Sequence, residues 1–126
     1  FGKFFQLKSK SEQINFSSIK NIQKIIDNRI VIIKSFNTFI ITKDMIYIMD
    51  RGPSILATAG TGDVLSGILV SLLSQGYTRL ETSILGTYLH AEAANYYMDN
   101  ISKDGMTASD LIDCIPYAFN KLRQND

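Results

Sequence analysis

The sequence is poor in residues that form disulfides or bind metal ions. It has one cysteine, Cys114, and one histidine, His90, among 126 residues. A single cysteine excludes an internal disulfide, which is compatible with a reducing cytoplasm, and we expect the protein there. We interpret both side chains as packed helix residues. Because neither has a second cysteine or histidine at ligand spacing, we predict no metal site.

Long apolar segments and an excess of either charge are also lacking. The longest apolar run, residues 68–73, is far shorter than a membrane span. The formal net charge of +1 provides no electrostatic reason to expect binding to nucleic acid or to an anionic membrane. A content of 45% hydrophobic and 20% charged residues is typical of a globular protein. We therefore expect a single domain over residues 1–126, with neither of those partners.

The apolar pattern predicts an α/β order of elements. Isoleucines at helical spacing predict a helix over residues 17–28. Residues 30–34 are apolar throughout, as is typical of a strand buried on both faces. A hairpin is expected over residues 38–49, whereas residues 1–16 suggest only a strand end or a loop.

The second half of the sequence is predicted to be helical. We expect helices over residues 63–75, over residues 78–98 and from residue 107 onward. The last two begin at capping boxes, Thr78 with Glu81 and Thr107 with Asp110. Pro116 lies inside the last helix and predicts a kink or a break near Asp113.

A glycine turn, Gly60, Thr61, Gly62 and Asp63, precedes the first of these helices. Two glycines let the main chain approach a ligand with its N–H groups turned outward, and the positive end of the helix dipole points there too. Asp63 stands where its carboxylate can accept a proton from a hydroxyl group. This arrangement predicts phosphoryl transfer to an alcohol, with the amides of Gly60, Thr61 and Gly62 holding the charge and Asp63 as the base. A simple helix cap is the alternative interpretation.

The longer string around this turn resembles a known enzyme signature. Residues 57–67 read Ala-Thr-Ala-Gly-Thr-Gly-Asp-Val-Leu-Ser-Gly, and members of the ribokinase-like superfamily end such a glycine turn with a catalytic aspartate. The string is most similar to one branch, the NAD(P)H-hydrate dehydratases, which are related to the carbohydrate-kinase domain of the bacterial repair enzyme for hydrated nicotinamide. The similarity continues in Tyr88-Leu89-His90 and in residues 108–116.

The resemblance implies an α/β fold, namely a ribokinase-like three-layer α/β/α domain. Family domains are about twice as long, so we expect this chain to correspond to the C-terminal half, with a second copy or a partner chain as candidates to supply the rest. The implied activity is ATP- or ADP-dependent dehydration of NADHX and NADPHX to NADH and NADPH, through phosphorylation of the ring hydroxyl and loss of phosphate. Asp63 would also contact this substrate, and Mg2+ would accompany the nucleotide.

A second family element, Lys-Gly-x-x-Thr, matches this sequence at its two ends. In the family this segment lies along the nucleotide, so the resemblance implies nucleotide contacts for Gly62 and for Lys34, Ser35, Phe36, Asn37 and Thr38. Ser35 stands where the family has glycine. The amino-terminal residues match a substrate-facing family loop only weakly, with Lys3 in place of an acidic residue.

Two other functions are compatible with the same residues. Other ribokinase-like enzymes phosphorylate a sugar, hydroxymethylpyrimidine or a thiazole alcohol and stop there. Alternatively, the chain is a non-catalytic remnant or one part of a split enzyme.

Overall fold

The computed structural model describes residues 4–8, 16–35, 37–50 and 52–124, and for residues 4–8 only the backbone. The strands are β1 (Phe4–Lys8), β2 (Ile30–Lys34), β3 (Asn37–Ile41) and β4 (Ile46–Asp50). The α-helices are α1 (Phe16–Ile25), α2 (Thr61–Ser74), α3 (Arg79–Asn100) and α4 (Ala108–Gln124), and a short 3-10 helix spans Ser54–Ala57. The chain divides into two compact units, residues 1–51 and residues 52–126.

The first unit contains a four-stranded sheet in the order β1-β2-β3-β4. β1 is parallel to β2, whereas β2, β3 and β4 are successively antiparallel. The register of β2 and β3 pairs Lys34 with Thr38. The two residues that match the ends of the second family element are therefore direct cross-strand neighbours.

β2 forms the centre of this unit because its residues are apolar and mostly β-branched, which favours a buried extended chain. Four of its five residues are buried. Ile19 of α1 and the nearby Ile26 pack with Val31, Ile33 and Ile41 of the sheet. The predicted buried strand and hairpin are confirmed, whereas β1 is more regular than the strand end or loop expected there.

The second unit consists of α2, α3 and α4, with α3 packed against the other two helices. The contact of α3 with α2 is close at Gly86, where an added Cβ would lie 2.6 Å from Cδ2 of Leu69. The absence of a side chain at Gly86 thus allows these two helices to approach. The buried core of this unit comprises Leu56, Val64, Ile68, Leu72, Leu89, Ala93, Ala94, Tyr97, Met106, Leu111, Cys114 and Ala118.

Both predicted capping boxes are confirmed. The N–H of Glu81 donates to Oγ1 of Thr78 at 3.1 Å, and the N–H of Thr78 donates to Oε1 of Glu81 at 2.9 Å. Thr107 and Asp110 make the same reciprocal pair, with distances of 3.1 and 2.8 Å. These bonds satisfy amides that would otherwise be unpaired in the first turns of α3 and α4.

The helices differ from the prediction in their ends and in the continuity of α4. α1 ends at Ile25 rather than at residue 28, and α3 extends to Asn100. α4 is one continuous helix, so the predicted break near Asp113 is wrong. Pro116 cannot donate to the carbonyl of Ile112, but Ile112 is 52% exposed, so water can reach that turn. α2 begins at Thr61, which places Asp63 inside its first turn. Within the described ranges, none of the helices is long and apolar enough to cross a membrane.

Candidate functional site

The glycine turn (residues 60–63) leads from the 3-10 helix into α2. Gly60 is the N-cap of α2 and has φ +89°. A side chain is unfavourable in this left-handed conformation, and a Cβ here would lie 3.1 Å from Cβ of Ala108. Both the backbone and the neighbouring helix therefore favour glycine at this position.

The first turn of α2 has two open amides. Among the described residues, no acceptor meets the N–H groups of Gly62 and Asp63, and Gly60 provides no side-chain cap. Val64 makes the first bond of the helix, since its N–H donates to the carbonyl of Gly60 at 3.2 Å. Two open donors at the positive end of the helix dipole form a place where an anion can bind.

Thr61 differs from its neighbours because its polar groups are used inside the turn. Its N–H donates to the carbonyl of Thr58 at 3.3 Å. Its hydroxyl lies 2.5 Å from the carbonyl oxygen of Leu56 and 2.9 Å from that of Thr58, and the residue is buried. Thr61 thus holds the turn in shape. Of the three predicted amide donors, those of Gly60 and Gly62 have no acceptor among the described residues, whereas that of Thr61 is used inside the turn.

Asp63 is exposed in the first turn of α2 and lines one end of a cavity of about 530 Å³. One wall of the cavity is α2, where Gly67 and Ser71 follow Asp63 at successive helical turns. The other wall is α4, with Ala108 and Phe119. Ligand pockets commonly occupy roughly 300–1,000 Å³, so the volume suits a small molecule. The carboxylate therefore faces a space that a reacting group could enter.

The residues expected along the nucleotide lie in the first unit, whereas the glycine turn lies in the second. Lys34 is half-buried at the end of β2, and the N–H of the buried Ser35 donates to the carbonyl of Asn37 at 3.0 Å. Thr38 is 1% exposed, and its hydroxyl has no hydrogen-bond partner among the described residues. Phe36 lies outside the described residues, as does the amino-terminal segment through Lys3.

His90 is hydrogen-bonded to the glycine turn, a contact that was not predicted from the sequence. The residue is 2% exposed, as expected for a packed helix histidine, and its Nε2 lies 2.8 Å from the carbonyl oxygen of Thr61. The contact joins residues 29 positions apart, so no local pattern could indicate it. The available signal was that the sole histidine falls in the Tyr-Leu-His string.

Cys114 is a buried residue of a helix, as predicted. The thiol is buried in α4, and burial raises its pKa, with a further rise from Asp110 and Asp113. A neutral buried thiol is a poor nucleophile. In the part of the chain that the structure describes, no cluster of three or more His, Cys, Asp or Glu residues could hold a metal ion.

Comparison with known proteins identifies the family. The family model described as NAD(P)H-hydrate dehydratase matches residues 1–117, which is most of the chain. The chain belongs to the NAD(P)H-hydrate dehydratase family. The predicted family relationship is thereby confirmed.

Relatives in the NAD(P)H-hydrate dehydratase family are considerably longer than this chain. The bifunctional NAD(P)H-hydrate repair enzyme Nnr of Dictyoglomus turgidum is 37% identical over 93 residues, which are 73% of this chain and 18% of that protein. The ADP-dependent (S)-NAD(P)H-hydrate dehydratase of Neisseria meningitidis is 33% identical over 97 residues, or 75% of this chain and 33% of that protein. The chain thus spans a third or less of these two relatives.

Solved structures show the fold. The ADP/ATP-dependent NAD(P)H-hydrate dehydratase of Bacillus subtilis, co-crystallised with ATP and Mg2+, superposes with a TM-score of 0.74 at 23% identity, covering 83% of this chain and 38% of that one. A ribokinase-like protein of Enterococcus faecalis gives 0.73 at 22% identity, covering 93% and 44%. The fold is therefore ribokinase-like, as predicted, and the chain corresponds to part of such a domain.

Proposed function

We propose that this chain provides the phosphoryl-transfer site for ATP- or ADP-dependent dehydration of NADHX and NADPHX to NADH and NADPH. One observation supports this proposal above all others. The exposed carboxylate of Asp63 and the open amides of Gly62 and Asp63 lie together at the start of α2, and Asp63 lines a cavity of about 530 Å³. The activity for which the relatives are named suggests the reaction that these groups would catalyse.

In the first step, Asp63 acts as the general base. Its carboxylate accepts the proton of the ring hydroxyl while that oxygen bonds to the terminal phosphorus of the nucleotide and the bond from phosphorus to the leaving phosphate oxygen breaks. The amides of Gly62 and Asp63 donate to the phosphoryl oxygens, helped by the helix dipole, with Gly60 allowing the main chain to approach. Thr61 contributes by keeping the turn in this shape.

In the second step, the phosphorylated ring loses phosphate. The carbon–oxygen bond breaks, phosphate leaves with the electron pair, and a proton leaves the neighbouring carbon as the ring double bond returns. Hydroxide is a much poorer leaving group than phosphate, which explains why phosphorylation precedes the elimination. The overall products are NADH or NADPH, inorganic phosphate and the shortened nucleotide.

We propose nucleotide contacts for Gly62 in the second unit and, independently, for the segment from Lys34 to Thr38 in the first unit. The lysine ammonium offers a positive charge, and the buried Thr38 hydroxyl, which has no partner among the described residues, offers a hydrogen bond to a ligand. Since no metal-binding cluster occurs in the described ranges, Mg2+ would be held by phosphate oxygens and water. When bound, it would neutralise charge on the phosphates.

The cavity beside Asp63 is proposed to receive the hydrated nicotinamide ring. Its walls offer apolar side chains from α4 and open space above Gly67, where an added Cβ would meet nothing within 4 Å. A flat, partly apolar ring could enter this space with its hydroxyl directed at the carboxylate. Residues outside this sequence, from the same protein, a second copy or a partner chain, would complete the substrate pocket, and the reaction would take place in the cytoplasm.

The central test measures nicotinamide absorbance restored from NADHX with ATP or ADP, in parallel with ADP affinity by calorimetry. Asp63→Asn should lower turnover by about 10²- to 10⁴-fold with little change in the dissociation constant for ADP. Asp99→Asn, an exposed change elsewhere on α3, is the matched control and should leave both values unchanged. Loss of ADP binding in Asp63→Asn without a specific loss of turnover would contradict the assigned role of the base.

A second test fills the cavity. Gly67→Leu should block substrate while preserving the helix, because a leucine favours helix more than glycine does and the position is open. Ser74→Leu adds the same side chain at the exposed end of α2 and should leave turnover unchanged. Equal activity in both variants would place the substrate elsewhere.

The same assays distinguish the alternative functions. A stable phosphomonoester formed from a sugar, hydroxymethylpyrimidine or a thiazole alcohol, with no reaction of NADHX, would favour a kinase that stops after the first step. A folded chain whose melting temperature does not rise with ATP or ADP would favour a non-catalytic remnant.

A further inference from the structure

We propose that His90 is a positioning residue that aims the Gly62 N–H at the bound phosphoryl group. It does so through the peptide group that joins Thr61 to Gly62. The proposal rests on the function proposed above, because it assumes an anion at the start of α2. The hydrogen bond between His90 and Thr61, on which the proposal depends, can be tested in the protein without a ligand.

The contact between His90 and Thr61 determines which nitrogen of the imidazole ring carries the hydrogen. Nε2 of His90 lies 2.8 Å from the carbonyl oxygen of Thr61, and a carbonyl oxygen only accepts hydrogen bonds. Nε2 must therefore be the donor, in the neutral ring as well as in the charged ring. The neutral ring is accordingly the tautomer with hydrogen on Nε2.

The peptide plane transmits this contact to the anion site. The carbonyl of Thr61 and the N–H of Gly62 belong to one planar trans peptide group and point in opposite directions. Fixing the oxygen therefore fixes the direction of the N–H. A donor on the oxygen also polarises the peptide, which strengthens the N–H as a donor on its other side. The amide of Gly62 lies in the first turn of α2 and has no acceptor among the described residues.

The other polar groups of Thr61 are held as well. Its hydroxyl is bound to the carbonyl of Leu56 and its N–H to the carbonyl of Thr58, so His90 provides the support from the opposite side, on α3. Since Thr61 and His90 are both 2% exposed, water does not compete readily for this bond. The arrangement keeps the donor aimed before the ligand arrives, which is what preorganised stabilisation requires.

The first experiment reads the tautomer by nitrogen NMR of the labelled chain, at a pH where the ring is neutral. The chain contains one histidine, so the ring signals need no assignment. Hydrogen on Nε2 is the expected result. Hydrogen on Nδ1 alone would overturn the proposal.

The second experiment compares His90→Gln, His90→Met and Thr87→Val. Glutamine can place an amide donor near the position of Nε2, methionine has a similar reach but no donor, and Thr87→Val is a buried control on the same helix. His90→Met should shift the Gly62 amide resonance of the free protein. It should also raise the dissociation constant for ADP by about tenfold, which is the effect of losing the hydrogen bond from the Gly62 N–H to the phosphate. His90→Gln should stay within about threefold of wild type, and the control should change neither value.

Each remaining outcome also decides between the alternatives. Wild-type values of both the Gly62 resonance and the ADP affinity in His90→Met would overturn the proposal, as would equal losses in the glutamine and methionine variants. If His90→Met does not fold, the tautomer decides the question. If the wild type itself binds no ADP, the function proposed above fails, while the Gly62 resonance in the free variants still tests the role of His90.

Discussion

The position of an added Cβ on Gly60 lies 3.1 Å from Cβ of Ala108, so the turn before α2 nearly touches the first residue of α4. Both residues line the cavity beside Asp63. Two small residues that are distant in sequence therefore define the end of the cavity beside the proposed anion site. Any increase in size at this end affects the turn and the cavity together.

We predict that Gly60→Ala destabilises the protein and weakens ADP binding. The left-handed conformation costs about 1–2 kcal/mol for a residue with a Cβ, and crowding against Ala108 adds to this. Gly76→Ala is the matched control, because Gly76 has φ +96° and open space around its Cβ position. Denaturant titration of both variants should show a larger decrease in the free energy of unfolding for Gly60→Ala than for Gly76→Ala. Equal losses would mean that the contact with Ala108 is unimportant.

A larger residue at Gly86 is predicted to disrupt the packing of α3 against α2. A Cβ there would lie 2.6 Å from Cδ2 of the buried Leu69, so Gly86→Val should lower the free energy of unfolding by about 1–3 kcal/mol. Leu69→Ala in the same chain should recover part of that loss by removing the clashing methyl groups. A strictly additive double variant, measured by urea unfolding, would contradict this explanation.

Removing either of two adjacent buried hydroxyls on α3 should change the stability of the protein in opposite directions. The hydroxyl of Thr82 has no hydrogen-bond partner among the described residues, whereas that of Ser83 donates to the carbonyl of Arg79 at 2.7 Å. Thr82→Val should therefore raise stability by about 1 kcal/mol, and Ser83→Ala should lower it by about 1 kcal/mol. Calorimetric melting of the two variants checks the prediction. A loss of stability in Thr82→Val would indicate a partner for that hydroxyl.

The capping box of α3 should make part of the stability depend on acid pH. The N–H of Thr78, and after it the Thr78 hydroxyl, hold the pKa of the Glu81 carboxyl below its ordinary value. A lowered folded pKa adds stability that is fully present above the unfolded pKa and is lost as the pH falls through the folded pKa.

Glu81→Gln isolates this contribution, because glutamine retains an oxygen acceptor and does not titrate in this range. The advantage of the wild type over Glu81→Gln in urea midpoint should therefore be largest near about pH 7 and shrink toward about pH 3. An advantage that does not change with pH would contradict the role of the charged carboxylate.

The features predicted best were those set by neighbouring residues. The residues of the glycine turn and the capping box of Thr78 with Glu81 each depend on backbone or side-chain chemistry within a few positions. For the same reason, Asp63 could be placed near the start of α2 from the sequence. The family resemblance then supplied the fold, which a helix–strand pattern alone defines only as α/β.

The features that were missed depend on how distant segments pack. The bond from His90 to Thr61 requires α3 to lie close to α2, which depends on Gly86, and the cavity requires α4 to lie beside α2. The break expected near Asp113 is absent for a related reason. Local proline chemistry argues against a helix there, but the buried Cys114 and Ala118 on either side hold the turns in place.

If the start of α2 binds a nucleotide phosphate as proposed, the lifetime of the protein depends on the nucleotide concentration around it. A helix with a glycine N-cap is weaker than one with a side-chain cap by roughly a few tenths of a kcal/mol, and a bound phosphate would supply the missing acceptor for Gly62 and Asp63. By mass action, a cell rich in adenine nucleotide would then protect the chain against proteases, and starvation would expose it.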